Sequence, residues 1–115
     1  MKKKSALLIF IMALLLFFAC DDNTPLLGMR VNVGEDKVSS ELPYVVHEVF
    51  VDSPAYNAGL RPDDVITEID GIALAGLVNE YVYQNLVLGK KGTAVIFTVD
   101  RDGRYLTFRV VRGKR

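Results

Sequence analysis

The chain has 115 residues, its 14 Lys and Arg side chains are balanced by 14 Asp and Glu, and half of its residues are hydrophobic. This length suits one domain and leaves no room for a second. Without the three lysines near the start, the charge is mildly acidic, which argues against general nucleic-acid binding. A single cysteine, Cys20, excludes an intrachain disulfide and a cysteine metal cluster.

The first 20 residues carry an export pattern. Three lysines precede an uncharged, wholly apolar stretch over residues 6–19, and Cys20 follows it directly. A basic start with a short apolar core is typical of a signal peptide. As a helix this stretch would span only about 21 Å, against roughly 30 Å for a bilayer core, so a permanent membrane span is the weaker interpretation.

The sequence Phe17-Phe18-Ala19-Cys20 resembles the bacterial lipobox, although Phe17 stands where leucine is usual. The resemblance implies that residues 1–19 are a lipoprotein signal peptide, that Cys20 is lipidated, and that residues 20–25 form a short tether. Two or three acyl chains hold a protein on a membrane almost permanently. The alternative is cleavage elsewhere by an ordinary signal peptidase, which leaves Cys20 unmodified.

The run from Ser53 to Gly71 predicts three local elements in succession. Ser53 is a good helix cap and Pro54 fits the first helical position. Gly59 can adopt the left-handed conformation that ends a helix, so this helix is very short. Residues 65–69 are rich in β-branched side chains and predict a strand, which stops at the turn signal Asp70-Gly71.

The rest of the chain alternates between strand and helix signals. The predicted elements are a strand at residues 30–33, a strand at 44–51, an extended stretch at 72–74, a helix at about 77–88, and a hairpin of strands 93–99 and 105–111. The helix is expected because Val78, Val82 and Leu86 recur every four residues, and Gly89 is expected to close it. In the hairpin, one apolar face is expected to consist of Val95, Phe97, Val99, Leu106, Phe108 and Val110.

The Ser53 to Gly71 run resembles the motif of PDZ domains, in the bacterial form attached to high-temperature-requirement serine proteases. The matching positions are Pro54, Ala55, Ala58, Gly59, Leu60, Asp64, Ile66, Ile69, Asp70 and Gly71. The resemblance covers most of the chain after the leader and implies a PDZ domain over residues 26–112. The expected fold is α+β, mainly β: a partly open antiparallel barrel of five to six strands, capped by two α-helices, one of them very short.

The same resemblance implies a groove that binds peptides. Leu27-Gly28-Met29 matches the family's loop of hydrophobic, Gly, hydrophobic residues, which precedes an edge strand beside the longer helix. A peptide would add to that edge as an extra strand, and its terminal carboxylate would meet backbone N–H groups of the loop. Gly28 is expected to leave room for the carboxylate or to supply the dihedral angles that the loop needs. The predicted peptide-binding residues are Leu26, Leu27, Gly28, Met29, Arg30, Val31, Val78, Tyr81, Val82 and Leu86.

Two details bear on the preferred ligand. Arg30 either adds positive charge near the carboxylate or points into solvent. Family members that prefer Ser or Thr two residues before the peptide end carry His at the start of this helix, whereas Leu77, Val78 and Asn79 stand there. We therefore expect apolar side chains at the last and third-to-last ligand positions.

The sequence offers few residues that could act in catalysis or bind a metal. His47 is the sole histidine and lies in the middle of a predicted strand, so a structural or exposed histidine is the better interpretation. Asp63 and Asp64 are adjacent and would point in opposite directions on a strand, with no third ligand converging on them. We expect no enzyme activity, no metal and no cofactor.

Basic residues crowd the end of the chain, where residues 113–115 are expected to form a basic tail. The group comprises Arg101, Arg104, Arg109, Arg112, Lys114 and Arg115. They either contact anionic lipid or an acidic partner, or they belong to a solvated strand and a frayed end, which we favour.

The sequence thus predicts a membrane-tethered adaptor in the bacterial cell envelope, facing the periplasm or the exterior. Its expected partners are C-termini or extended segments of membrane or envelope proteins, with no nucleic acid and no small-molecule substrate. Two alternatives stay open: an assembly component that packs through its outer surface, and a regulatory subunit of an envelope protease.

Overall fold

The computed structural model describes residues 27–113 of the chain. The predicted signal peptide, Cys20, Leu26 and the last two residues of the basic tail lie outside the described residues. Within the described range, no helix combines the length and the apolar character needed to cross a membrane.

Six strands and two short helices make up the domain. In chain order they are β1 (Met29–Asn32), β2 (Tyr44–Val49), α1 (Pro54–Ala58), β3 (Val65–Ile69), β4 (Ile72–Ala73), α2 (Asn79–Tyr81) with a π-helical continuation (Val82–Val87), β5 (Ala94–Arg101) and β6 (Arg104–Val111). Every strand pair is antiparallel, in the order β1-β2-β3-β5-β6, and β4 pairs with β3. This confirms the predicted mainly β class, an open six-stranded sheet with two helices.

Helix α1 forms for the local reasons that its sequence predicts. The Ser53 hydroxyl accepts a hydrogen bond from the backbone N–H of Tyr56 at 3.2 Å, and Pro54 occupies the first turn. Gly59 ends the helix with φ +116°, and its N–H donates to the carbonyls of Ala55 and Tyr56. The predicted very short helix is confirmed.

The hairpin of β5 and β6 is longer than predicted and its turn is tighter. The strands meet at Arg101 and Arg104, so that only Asp102 and Gly103 form the turn, where the predicted strands leave residues 100–104. Both have positive φ, +52° and +89°, which is the two-residue turn that matches the twist of a hairpin. The predicted apolar face is confirmed: the β5 members are fully buried and pair in register with those of β6.

The second helix differs from its prediction. Only α2 is α-helical; from Val82 onward the backbone is π-helical, and the Leu88 N–H donates to the Tyr83 carbonyl at 3.0 Å. The prediction that Gly89 closes the helix is wrong, because Leu88 is already extended, with ψ 150°. Arg112 ends the helix instead, donating from Nη2 to the Leu86 carbonyl at 3.1 Å and from Nε to the Val87 carbonyl at 3.0 Å.

The arginines of the predicted solvated strand therefore have different roles. Arg112 is only 6% exposed, so for this residue the prediction is wrong. Gly89 lies against it: a Cβ there would be 2.5 Å from the guanidinium carbon. Arg104 and Arg109 are exposed, as expected.

A partly buried ion pair, in which Asp64 is the buried member, joins the middle of the chain to β5. Asp64 accepts two hydrogen bonds from Arg101, each of 2.8 Å, and a third from the backbone N–H of Arg61 at 2.9 Å. Arg101 also donates to the carbonyl of Gly59, just after α1. The hydrogen bond with Asp64 raises the pKa of Arg101 further above its usual range.

Replacing Asp64→Ala should cost about 3 kcal/mol in the free energy of unfolding, because it leaves Arg101 without its carboxylate and the Arg61 N–H without its acceptor. Urea unfolding followed by circular dichroism measures this loss. The control is Glu35→Ala at an exposed carboxylate, which should change stability by less than about 0.5 kcal/mol. Similar losses in the two variants would contradict the assignment.

Candidate functional site

Strand β1 is an edge of the sheet, with β2 as its one partner among the described strands. The Phe50 N–H donates to the Gly28 carbonyl, so, in the strand that follows, Arg30 turns its backbone groups toward β2 and Met29 turns its own away. A bulge follows Arg30, after which Val31 lies opposite Val46. Val46 uses its N–H and carbonyl on the β3 side. Met29 and Val31 therefore present N–H and C=O groups on the open edge.

The loop before β1 is held from one side. The Leu27 carbonyl accepts from the Ala55 N–H at 2.9 Å, and the Gly28 carbonyl accepts from the Phe50 N–H at 2.9 Å and from the Ser53 hydroxyl at 3.3 Å. In a trans peptide the N–H points opposite to the carbonyl, and the described chain has no cis bond. The N–H groups of Gly28 and Met29 therefore point away from α1, as donors for an anion.

Position 28 requires glycine for two reasons, of which only the first is expected from the sequence. Its φ is +81°, which confirms the expected need for unusual dihedral angles. A Cβ at this position would lie 2.1 Å from the Cβ of Ser53. The close neighbour of Gly28 is thus the cap of α1.

The start of the second helix is fixed to the chain that follows β1. The Val38 N–H donates to Leu77 at 2.9 Å, and the Asn79 N–H donates to Asp36 at 2.8 Å. The Asn79 side chain donates to the Gly34 carbonyl at 2.6 Å. These bonds tie the N-terminal end of the helix to the far end of β1, while Arg112 holds the other end.

The predicted side chains of the helical wall are not equally accessible. Val78 is 42% and Tyr81 49% exposed, whereas Val82 is fully buried and Leu86 nearly so. Val82 therefore belongs to the core, and Val78 and Tyr81 are left to contact a ligand. Tyr83 lies on another side of the helix, near the buried Tyr44. Burial in the first place, and the nearby Tyr83 in the second, raise the pKa of Tyr44 to about 12.

The other predicted site residues fall into separate places. Leu27 is buried, Met29 and Val31 pack partly against the core, and Leu26 lies outside the described residues. The Arg30 guanidinium lies 3.8 Å from Glu48 and 6.0 Å from the centre of the Phe50 ring. The Arg30 charge therefore lies over β2 and faces solvent. It does not add positive charge near the ligand carboxylate, which was the other alternative.

No catalytic or metal-binding arrangement exists within residues 27–113. His47 is exposed, and its Nδ1 lies 3.3 Å from the side-chain nitrogen of Asn32. The described residues hold no group of three or more side chains that could ligate a metal. Asp64, one of the two adjacent aspartates, is fully used by Arg61 and Arg101.

Sequence comparison decides the family. A family model described as "PDZ domain" matches residues 25–111. The chain belongs to the PDZ domain family. An open β1 edge beside a helix, with a glycine loop at its start, is the strand-addition geometry by which PDZ domains bind peptides.

Curated relatives of this PDZ domain are proteases. The chain is 33% identical over 92 residues to a probable CtpA-like serine protease of Staphylococcus haemolyticus, covering 80% of this chain and 18% of the relative. It is 33% identical over 91 residues to the carboxy-terminal processing protease CtpB of Bacillus subtilis, covering 76% and 17%. The chain thus spans less than a fifth of the length of these relatives.

Solved structures share the fold. A PDZ domain protein from Parabacteroides distasonis superposes with a TM-score of 0.60 at 22% identity, over 74% of this chain and 19% of that one. The HtrA-type protease AlgW with a tripeptide gives 0.58 at 24%, over 76% and 31%. An AlgW variant with a decapeptide gives 0.52 at 26%, over 76% and 30%. The curated relatives, together with the AlgW structure of 26% identity, are consistent with the PDZ type associated with proteases.

Gly28→Ala should lower the free energy of unfolding by at least about 3 kcal/mol, because it adds a clash with Ser53 to the strain of a positive φ. Gly76→Ala is the matched control, since Gly76 has φ +87° with open space around it, and should cost about 1 kcal/mol. Adding Ser53→Gly should recover much of the difference, as measured by urea unfolding. Equal losses in the two alanine variants would argue against the clash.

Proposed function

We propose that this PDZ domain is a non-catalytic adaptor that binds the C-termini or extended segments of envelope proteins by strand addition to β1. The observation that carries the proposal is the pair of N–H groups at Gly28 and Met29, which point away from α1 at the start of an open edge. A terminal carboxylate there accepts both, and the peptide continues along Met29 and Val31.

The helical wall sets the ligand's chemistry. Val78 and Tyr81 are the exposed side chains among the predicted wall residues, and both favour apolar or aromatic ligand side chains. Arg30 faces Glu48 over β2, so the recognition of the carboxylate rests on backbone N–H groups. The structures of AlgW with a tripeptide and with a decapeptide support a peptide as the ligand class.

We further propose that the domain is a lipoprotein anchored through Cys20 in the bacterial cell envelope. The support is the apolar stretch over residues 6–19 and the lipobox-like sequence that ends at Cys20. Residues 21–25 reach at most about 18 Å when fully extended, so the groove would work close to the membrane surface. Membrane proteins, other lipoproteins and envelope proteases are the partners favoured by this geometry.

Regulation of proteolysis is the role that the relatives favour, since CtpA-like and CtpB proteases carry the similar segment. A domain of this type would deliver a substrate tail to a protease or hold the tail back. The assembly role through the outer surface predicts instead that the β1 edge stays empty.

A library of peptides with free C-termini should bind the full chain in mild detergent. Tyr81→Glu should weaken binding at least about tenfold, because it places a negative charge and a polar group on the apolar wall that faces the ligand side chains. Fluorescence anisotropy with labelled peptides measures the dissociation constants.

The matched control for that experiment is Ile72→Glu, at a similarly exposed apolar residue on β4. It should leave the affinity unchanged. Blocking the peptide C-terminus as an amide should also weaken binding about tenfold. The groove proposal fails if Tyr81→Glu and the amidated peptides bind as tightly as their parents.

The anchor proposal predicts that Cys20→Ala moves the protein from the membrane to the soluble fraction, because the acyl chains supply nearly all of the membrane affinity. Fractionation of cells and mass spectrometry of the N-terminus measure this change. Membrane retention of Cys20→Ala at the parent level would point to an uncleaved leader.

A further inference from the structure

The open edge of β6 is longer and more regular than that of β1. Strand β6 has eight residues in unbroken register with β5 and no further partner among the described strands. The two-residue turn determines which residues of β6 bond to β5. They are Arg104 and every second residue after it, and just beyond the strand the Arg112 N–H still donates to the Thr93 carbonyl. Tyr105, Thr107, Arg109 and Val111 therefore turn their N–H and C=O groups outward.

A cavity lies at the end of this edge. It has a volume of about 600 Å³, and its lining includes Asp52, Pro54, Asn57, Lys91, Val111 and Arg112. Asp52 lies in the turn before α1, and Pro54 and Asn57 belong to α1, which packs against β6. None of the residues predicted to bind a peptide at the β1 edge lines this cavity.

Arg112 gives the cavity its chemistry. Its guanidinium is buried, and within residues 27–113 no carboxylate pairs with it. It donates three hydrogen bonds, to Leu86, Val87 and Thr93, all to uncharged oxygens. A guanidinium has five N–H groups, so two remain for another acceptor. A buried cation without a counter-charge is costly, and an incoming carboxylate would relieve that cost.

The surrounding charge also favours an anion. Arg104 and Arg109 are exposed on β6, which carries no acidic side chain, and Lys91 is on the cavity wall. Asp52 is the one acidic residue among those that line the cavity. A second copy of the chain fits this edge poorly, because self-pairing would bring the arginines of two β6 strands together.

We propose that β6 and the adjoining cavity form a second strand-addition site, which takes an extended segment of a partner protein with an acidic side chain. The segment pairs with the outward backbone groups from Tyr105 to Val111, and its carboxylate enters the cavity to meet Arg112 and Lys91. This site is separate from the β1 edge and requires no free C-terminus.

The probe is an eight-residue peptide of alternating threonine and valine with one glutamate near one end, and both termini are capped. A second peptide has glutamine in place of the glutamate. With the full chain in mild detergent, the glutamate peptide should bind at least about tenfold more tightly. It should shift the backbone amide resonances of Tyr105, Thr107 and Arg109.

Thr107→Pro tests the strand addition, because it removes an outward N–H and leaves the bonds between β5 and β6 in place. It should weaken binding at least about tenfold, while Thr107→Ala, which keeps the N–H, should bind like the parent. Tyr81→Glu should have no effect, which separates this site from the β1 edge. If Thr107→Pro does not fold, the proposal is still tested by the difference in affinity between the glutamate and glutamine peptides and by the resonance shifts on β6.

Three results would overturn the proposal: equal affinity for the two peptides, shifts confined to Met29–Asn32 and the second helix, or full binding by a folded Thr107→Pro variant. A concentration-dependent dimer in sedimentation that Thr107→Pro abolishes would also overturn it, because the edge would then belong to a second copy.

Discussion

The bidentate ion pair between Asp64 and Arg101 holds together the centre of the domain, where α1, β3 and β5 meet. Through Asp64 it fixes the turn that enters β3, through the Gly59 carbonyl it fixes the end of α1, and through Arg101 it fixes β5. Asp64 also accepts a backbone bond from Val46 of β2. An arginine suits this position because its planar fork satisfies a carboxylate and a carbonyl at the same time.

Arg112 performs a related task at the other side of the domain, without a carboxylate. By donating to the last carbonyls of the second helix it sets where that helix ends, and so where the wall beside β1 lies. A side-chain cation at a helix C-terminus is favourable both as a donor and against the helix dipole. Arg112 also lines the cavity beside α1, so one residue belongs to the surroundings of both candidate sites.

The two edges of the sheet offer different kinds of recognition. At β1 the edge is four residues long with a bulge, and the donors at Gly28 and Met29 favour a chain that ends there. At β6 the edge is eight residues long and regular, and it favours a segment that runs through. A domain that used both proposed sites would hold a tail and an internal segment together, which would raise the effective concentration of each for the other.

The sequence by itself determined the elements whose causes are local. Ser53, Pro54 and Gly59 cap and end α1 within a few residues, and the alternation of β5 and β6 sets their buried face. Only the tertiary structure decided that Gly28 is required by Ser53, that Arg112 rather than Gly89 ends the second helix, and that Val82 is buried while Tyr81 is exposed. Each of these depends on contacts between residues far apart in the chain, whereas a local pattern records only near neighbours. The motif Leu27-Gly28-Met29 therefore identified the β1 edge from the sequence, but the geometry of this loop was decided by its packing against α1.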